Sequence, residues 1–258
     1  MKKQNIVAQV YTVRDACNDA HGLADALARV RAIGYQAVEM SSVGPLPPKE
    51  LARVLEGEGL TCAGTHEDSE ELLADPSAVA ERLAILGCTA TAYPYPKGQD
   101  FTSLEAVKRL CKALERTGKT LKKAGISFSY HNHNLEFFRL GKSKVIDILL
   151  SETDDASVKL ELDTYWVQAG GGNPAEWIGS LKGRCTHLHI KDYGVDPKGR
   201  AMFEEIGKGN LDWDGIFAAA KKAGVKWYVV EQDSDWENAD PFESLKLSWA
   251  YLKKGYAD

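Results

Sequence analysis

Eight short runs rich in β-branched and apolar residues alternate along the chain with longer stretches of helical periodicity, and this alternation constrains the fold most. The strand-like runs are Ile6–Tyr11, Ala37–Ser41, Thr61–Thr65, Cys88–Tyr93, Ser127–His131, Val158–Asp163, Thr186–Ile190 and Trp227–Glu231. Between them lie amphipathic stretches such as Leu23–Ile33, Pro48–Glu56, Ala78–Leu86, Leu104–Lys123 and Leu211–Ala223. In the first of these Leu23, Leu27, Val30 and Ile33 recur at three- and four-residue spacing, which puts them on one helical face. Gly34, Gly59, Gly87, Gly125 and Gly224 each stand between a helical stretch and the next strand, where glycine permits the left-handed turn that ends a helix. Strands that alternate with helices imply a parallel sheet. Eight such units in 258 residues predict an α/β fold: a closed (β/α)8 TIM barrel forming a single domain over residues 1–258. No Gly-x-Gly-x-x-Gly follows the first strand, so an open dinucleotide-binding sheet lacks its fingerprint.

The formal net charge is −5, which argues against a nucleic-acid partner, since duplex binding relies on clustered Lys and Arg to displace counterions. Met1-Lys2-Lys3-Gln4-Asn5 leads into only a short apolar stretch, without the longer apolar core and cleavage site of an export signal. No apolar run reaches the length of about 18 residues that would cross a membrane. The five cysteines, Cys17, Cys62, Cys88, Cys111 and Cys185, are scattered and contain no CxxC pair. An odd count without an export signal points to reduced thiols in a cytoplasmic protein. Nothing in the sequence distinguishes a monomer from a homodimer.

In a barrel of this kind the active site lies at the C-terminal ends of the strands. The later strands end in polar residues that a plain core would not need: His131 and His133, Asp163, His187 and His189 followed by Lys191, and Glu231. The two histidine pairs are spaced i, i+2, which puts both members of each pair on one strand face. Asp163, His189 and Glu231 then meet from three neighbouring strands, a mixed imidazole and carboxylate set that suits Mn²⁺, Zn²⁺, Co²⁺ or Fe²⁺ better than Mg²⁺. Each also has a plainer reading. Asp163 can cap a helix, Glu231 can be half of a buried ion pair, and His187, one layer deeper, fits a hydrogen-bonded supporting role. Their convergence favours a site that holds one divalent ion. His66, Tyr93 and Tyr11 end other strands and are candidates for lining a pocket and contacting hydroxyls. Trp166 is a candidate apolar wall against a sugar face. All four also fit ordinary packing. The stretch Asp192–Lys208 is the longest irregular segment, placed where barrel loops cover a site. Gly207-Lys208-Gly209 reads as a phosphate cradle or as a plain turn.

The strings Tyr130-His131-Asn132-His133-Asn134-Leu135-Glu136-Phe137, Leu162-Asp163-Thr164-Tyr165-Trp166, His187-Leu188-His189-Ile190-Lys191-Asp192 and Glu231-Gln232-Asp233 together resemble the xylose-isomerase-like TIM-barrel superfamily. Within it they resemble the sugar phosphate isomerase/epimerase group, whose relatives include inosose dehydratases, ketose 3-epimerases and 3-dehydroshikimate dehydratases. The resemblance spans nearly the whole chain. It implies a metal held by the residues ending strands five to eight, usually Glu, Asp, His and Glu. Asp163, His189 and Glu231 match the last three. At the first position His131 stands where relatives carry Glu, so the resemblance leaves two fourth ligands open: His131 itself, or Glu136 reaching back. It also implies His133 and Lys191 as the substrate-side pair.

The chemistry so implied is abstraction of a proton α to a carbonyl, with His133, Glu136 or Glu231 as base, Lys191 at the developing oxyanion and the metal as Lewis acid. Returning the proton elsewhere gives a sugar isomerase or epimerase. Expelling a β-substituent instead gives a lyase or dehydratase acting on a keto-sugar, an inosose or a 3-keto glycoside. Endonuclease IV shares this barrel, but its three-zinc site needs more His and Asp ligands than this chain offers, and the charge is wrong for DNA. A non-catalytic polyol-binding protein is the remaining class, and an ion with an open coordination position weighs against it.

Overall fold

The structure is a computed structural model that describes residues 1–258. Eight parallel strands close into a barrel. They are β1 Ile6–Gln9, β2 Ala37–Met40, β3 Thr61–His66, β4 Ala90–Tyr93, β5 Ser127–His131, β6 Lys159–Asp163, β7 His187–Ile190 and β8 Trp227–Val230. Each pairs with its sequence neighbours, and β8 closes on β1 with Ile6 opposite Tyr228 and Ala8 opposite Val230. The expected barrel is therefore the observed one. No helix is long and apolar enough to cross a membrane.

Alternation along the strands sorts side chains into two cores. Ile6 and Ala8 of β1 belong to the large core shared with the surrounding helices, to which α1 (Ala20–Ile33) contributes Leu23, Ala26, Leu27 and Val30. Val7, between them, joins Ala37, Ala63 and Val229 in a small separate apolar cluster on the opposite strand face. The helices start and stop where the sequence supplies caps. Asp19 accepts the Gly22 N–H at 2.8 Å at the start of α1, and Asn173 accepts the Ala175 N–H at 3.0 Å ahead of Pro174. The five glycines at the helix-to-strand joints all have positive φ, and Gly87 and Gly224 sit squarely in the left-handed region that a side chain resists. All five cysteines are free and buried.

Most strand boundaries fall within one residue of the sequence reading, and three differences are larger. β1 stops at Gln9, and Val10–Ala16 winds into 3-10 turns, helped by the Gln9 side chain accepting the Tyr11 N–H. β4 begins at Ala90 rather than Cys88. The stretch expected to be irregular after β7 contains an antiparallel hairpin, Asp192–Val195 paired with Ala201–Glu204. Its alternation is too short and too polar to stand out from a loop.

The long helix Leu104–Lys123 crosses close to the chain entering β6. A Cβ on Gly118 would lie 2.1 Å from the Ser157 carbonyl oxygen. Alanine gains about 1 kcal/mol of helix propensity there, but the contact is with backbone and cannot rotate away. Gly118→Ala should therefore lose about 2 kcal/mol net, within the range for overpacking. For a domain of this size that is a Tm drop of about 4–8 °C by calorimetry; an unchanged or higher Tm would contradict the close approach.

Candidate active site

The polar ends of the strands meet in the mouth of the barrel. His131 on β5, Asp163 on β6, His189 on β7 and Glu231 just past β8 bring one donor atom each within 4.8 Å of one another, and all four are buried. The β5 and β6 ends are tied together by the Asn132 side-chain oxygen, which accepts the Asp163 N–H at 3.1 Å. Between the carboxylates lies the Lys191 ammonium. Its Nζ is 3.2 Å from Asp163 Oδ2, 2.9 Å from Glu231 Oε2 and 3.1 Å from Asp233 Oδ2.

A second set of donors lies on the other side of the same two imidazoles. Glu161, two residues before Asp163 and so on the same strand face, brings Oε1 to 2.6 Å from His66 Nε2, 3.1 Å from His189 Nε2 and 3.4 Å from His131 Nδ1. Glu39 on β2 brings Oε2 to 2.7 Å from His189 Nε2 and accepts the Gln9 side-chain amide at 2.8 Å.

Burial and neighbouring charge set the protonation of these groups. Burial pulls the His189 imidazole down, but Glu161 and Glu39 more than reverse that and hold it well above its ordinary value. Burial would push the Glu161 carboxyl up, yet His189 and His66 hold it far down. Glu231 is likewise held down against burial, by Lys191 and His189. Burial raises Asp163, and raises Asp233 to about 6. Burial, then the Lys191 charge, pushes His133 down to about 3, so its ring is neutral near pH 7.

The site opens on a cavity of about 720 Å³ lined by Tyr11, His66, His131, His133, Lys191, Glu231 and Asp233 among others. That volume falls within the usual range for a small-molecule site. Tyr11 and His66 thus stand where the sequence placed them, on the cavity wall. Trp166 does not face the cavity directly: its ring packs behind His133, with centroids 5.2 Å apart, and 5.6 Å from Lys191 Nζ. Tyr93 does not reach the cavity. It is buried, with its ring stacked on Tyr130 at 5.5 Å, because it stands opposite Tyr130 in the strand register and so on the helix-facing side of the barrel. His187 has the supporting role expected of it, with Nε2 3.1 Å from the Ala63 carbonyl oxygen.

Glu136 is the main correction. It is fully buried, its Oε1 accepts the Tyr130 hydroxyl at 2.6 Å, and its Oε2 accepts the His133 N–H at 2.7 Å. With both oxygens so occupied it belongs to neither donor set and does not line the cavity, so neither the reaching-back ligand nor the Glu136 base fits this geometry. Burial raises its carboxyl to about 7. Its contacts shape the turn that carries His133. The phosphate-cradle reading of Gly207-Lys208-Gly209 also falls, since the Gly207 and Gly209 N–H groups both donate to Asp192 Oδ2.

Sequence reasoning missed Glu39, Glu161 and Asp233. Each had a signal: a charge inside the apolar run Ala37-Val38-Glu39-Met40, a carboxylate two residues before Asp163, and another two residues after Glu231.

The donor set suits a divalent metal. It offers two carboxylates and two imidazoles from four strands. Asp163 Oδ2 is buried and makes no hydrogen bond, although Lys191 Nζ stands within ion-pair distance of it. Buried polar atoms without partners are uncommon and call for a ligand.

Known proteins share this architecture. A family model described as xylose isomerase-like TIM barrel matches residues 27–254. The inosose dehydratase of Clostridium beijerinckii is 26% identical over 176 residues, covering 62% of this chain and 58% of that protein. The chain thus spans little more than half the length of that curated relative. A sugar phosphate isomerase/epimerase from Parabacteroides distasonis superposes with a TM-score of 0.83 at 23% identity, covering 99% of this chain and 96% of the other. A xylose isomerase-like TIM-barrel protein from Mycobacterium smegmatis, in complex with magnesium, superposes with a TM-score of 0.76 at 17% identity, covering 97% of this chain and 96% of the other.

The hairpin wall beside Lys191 depends on Asp192. Its carboxylate accepts five donors: the N–H groups of Tyr193, Gly207, Gly209 and Leu211 and the Trp213 indole. Phe203 on the hairpin stacks on Tyr165 at 4.1 Å. Asp192→Asn turns an acceptor oxygen into a donor amide facing buried N–H groups, at a cost of about 2–3 kcal/mol. Limited proteolysis should nick this variant between residues 192 and 213 well before the wild type; equal resistance would show that the hairpin stands without the carboxylate.

Proposed function

The chain belongs to the xylose isomerase-like TIM-barrel family, and from that premise we propose that it is an enzyme that removes a proton α to the carbonyl of a keto-sugar or inosose with the help of one divalent ion. The observation that carries this reading is the convergence of His131, Asp163, His189 and Glu231, with the Lys191 ammonium beside them, at the floor of a cavity of small-molecule size. These four residues would hold the ion. Bound there, it would supply Lewis-acid polarisation of the substrate carbonyl.

The remaining work falls to the chain's own groups. Lys191 is buried and fixed by three carboxylates, so its ammonium is held in place to stabilise negative charge on a substrate oxygen. Asp233, at the cavity edge with a carboxyl near 6, is matched to accepting a proton close to neutral pH. His133, neutral and packed against Tyr95 and Trp166, is suited to hydrogen-bonding a hydroxyl rather than to holding a proton. The hairpin and Trp166 exclude water from one side of the Lys191 ammonium.

Two outcomes diverge after proton removal. The resemblance in sequence to inosose dehydratases supports loss of a β-hydroxyl. Reprotonation would give an epimerase or isomerase, the activity named for the Parabacteroides neighbour.

Protein purified without chelator and analysed by elemental mass spectrometry should carry about one divalent ion per chain. Incubated with inososes and keto-sugars in D2O, it should exchange the α-hydrogen or release water, and both should stop in Asp163→Ala and Glu231→Ala. No ion taken up and no exchange on any substrate would refute the reading. Lys191→Met should keep the ion yet slow the exchange by about 100-fold, as for loss of one oxyanion donor. Undiminished exchange would remove Lys191 from the mechanism.

A further inference from the structure

His131 and His189 belong to both sets of donors, and each ring turns one nitrogen to each set. His131 presents Nε2 to Asp163 Oδ2 at 3.9 Å and Nδ1 to Glu161 Oε1 at 3.4 Å. His189 presents Nδ1 to Glu231 Oε2 at 2.8 Å, and Nε2 to Glu39 Oε2 at 2.7 Å and Glu161 Oε1 at 3.1 Å. A neutral imidazole has one lone pair and one N–H. It can therefore ligate an ion through one nitrogen while the other donates, but it cannot ligate ions in both sets without losing its last proton. The two sets are not two independent metal sites.

Access decides between them. Of the carboxylates, Glu231 and Asp233 line the cavity beside Lys191, whereas Asp163, Glu39 and Glu161 do not; the His66 and His131 rings reach it as well. An ion that must meet a substrate belongs with Glu231, the one carboxylate of either set that faces the cavity, and so with the set that holds Asp163. The opposite nitrogens, His131 Nδ1 and His189 Nε2, then carry the hydrogens, and Glu161 Oε1 is the one carboxylate oxygen that faces both. No other carboxylate lies within 4.0 Å of His131 Nδ1, a buried nitrogen that makes no hydrogen bond with the ring as it stands.

We infer that Glu161 is a positioning residue: a single carboxylate behind two metal-ligating imidazoles, fixing the tautomer of both so that His131 Nε2 and His189 Nδ1 turn their lone pairs to the ion. At His189 Nε2 the Glu39 carboxylate, itself held by the Gln9 amide, is the nearer acceptor at 2.7 Å, and Glu161 Oε1 also meets His66 Nε2 at 2.6 Å. Carboxylates placed behind ligating histidines orient the ring and strengthen its donor nitrogen, and their loss typically costs 10–100-fold in metal affinity. The inference rests on the metal reading proposed above.

The test uses the full chain, freed of metal and titrated with Mn²⁺ by water-proton relaxation, for the wild type, Glu161→Gln and Asp163→Asn. Glu161→Gln should bind Mn²⁺ about 10–100-fold more weakly than the wild type, and Asp163→Asn, which loses a ligand, more weakly still. In the Zn²⁺-loaded wild type, long-range proton–nitrogen NMR spectra should show hydrogen on His131 Nδ1 and His189 Nε2. This measurement needs no variant to fold. Wild-type affinity in Glu161→Gln, the opposite tautomers, or binding that survives Asp163→Asn but not Glu161→Gln would each overturn the inference; the last would make Glu161 a ligand. A wild type that binds no ion removes the metal reading itself, and this inference with it.

Discussion

Charge buried in the mouth of the barrel must be balanced from within, and the rest of the site depends on how that is done. Five carboxylates, of Glu39, Glu161, Asp163, Glu231 and Asp233, stand in contact with the Lys191 ammonium and with the imidazoles of His66 and His189, both held above their ordinary values. Carboxylates outnumber the cations facing them. Burying an unbalanced charge costs several kcal/mol per ion even after relaxation, and the raised Asp163 and Asp233 carboxyls register that cost. A divalent cation would relieve it, and would displace a proton from His189 in doing so, since a ligating imidazole must be neutral. The ammonium of Lys191 and the proposed ion would then act as two halves of one electrostatic device.

The scaffold makes that device possible because closure brings β2, β3, β5, β6, β7 and the end of β8 to one point without any loop having to reach. Glu161 and Asp163, spaced by two, stand on one strand at two depths. The deeper one meets His66, His189 and His131, and the shallower one meets Lys191. Rigid strands hold such positions more tightly than loops. Only the outer wall is delegated to the hairpin after β7, and one carboxylate, Asp192, gathers the backbone donors that hold it there.

The barrel and its strand order were legible because period-two strands, period-3.6 helices and joint glycines all point the same way. Asp163, His189 and Glu231 were legible because they end strands. The depth of the barrel was not. Reading each strand only at its tip passed over Glu39 and Glu161, which lie inside strands where apolar runs hide them. Glu136 was misplaced because sequence spacing gives reach but not occupancy: Tyr130 and the His133 N–H claim its oxygens first. Tyr93 was misplaced because alternation, not the end of a strand, decides the face: Tyr93 pairs with Tyr130 and shares its helix-facing side. The hairpin escaped notice because each of its strands is four residues long and carries no clear apolar alternation.

The two ends of the barrel interior argue for where function lies. Val7, Ala37, Ala63 and Val229 pack into an ordinary dry cluster of small apolar side chains within the barrel strands. Farther along the same strands, Gln9, Glu39 and Glu231 are buried among the charges of the mouth. Nothing in the barrel's closure requires this, because apolar residues of similar volume often serve stability as well or better than a buried ion pair. A fold that breaks its own packing rule at one end, with side chains from six strands, keeps that arrangement for chemistry rather than for cohesion. The charges gather where the cavity opens, which is why the strained charges and the substrate must be explained together.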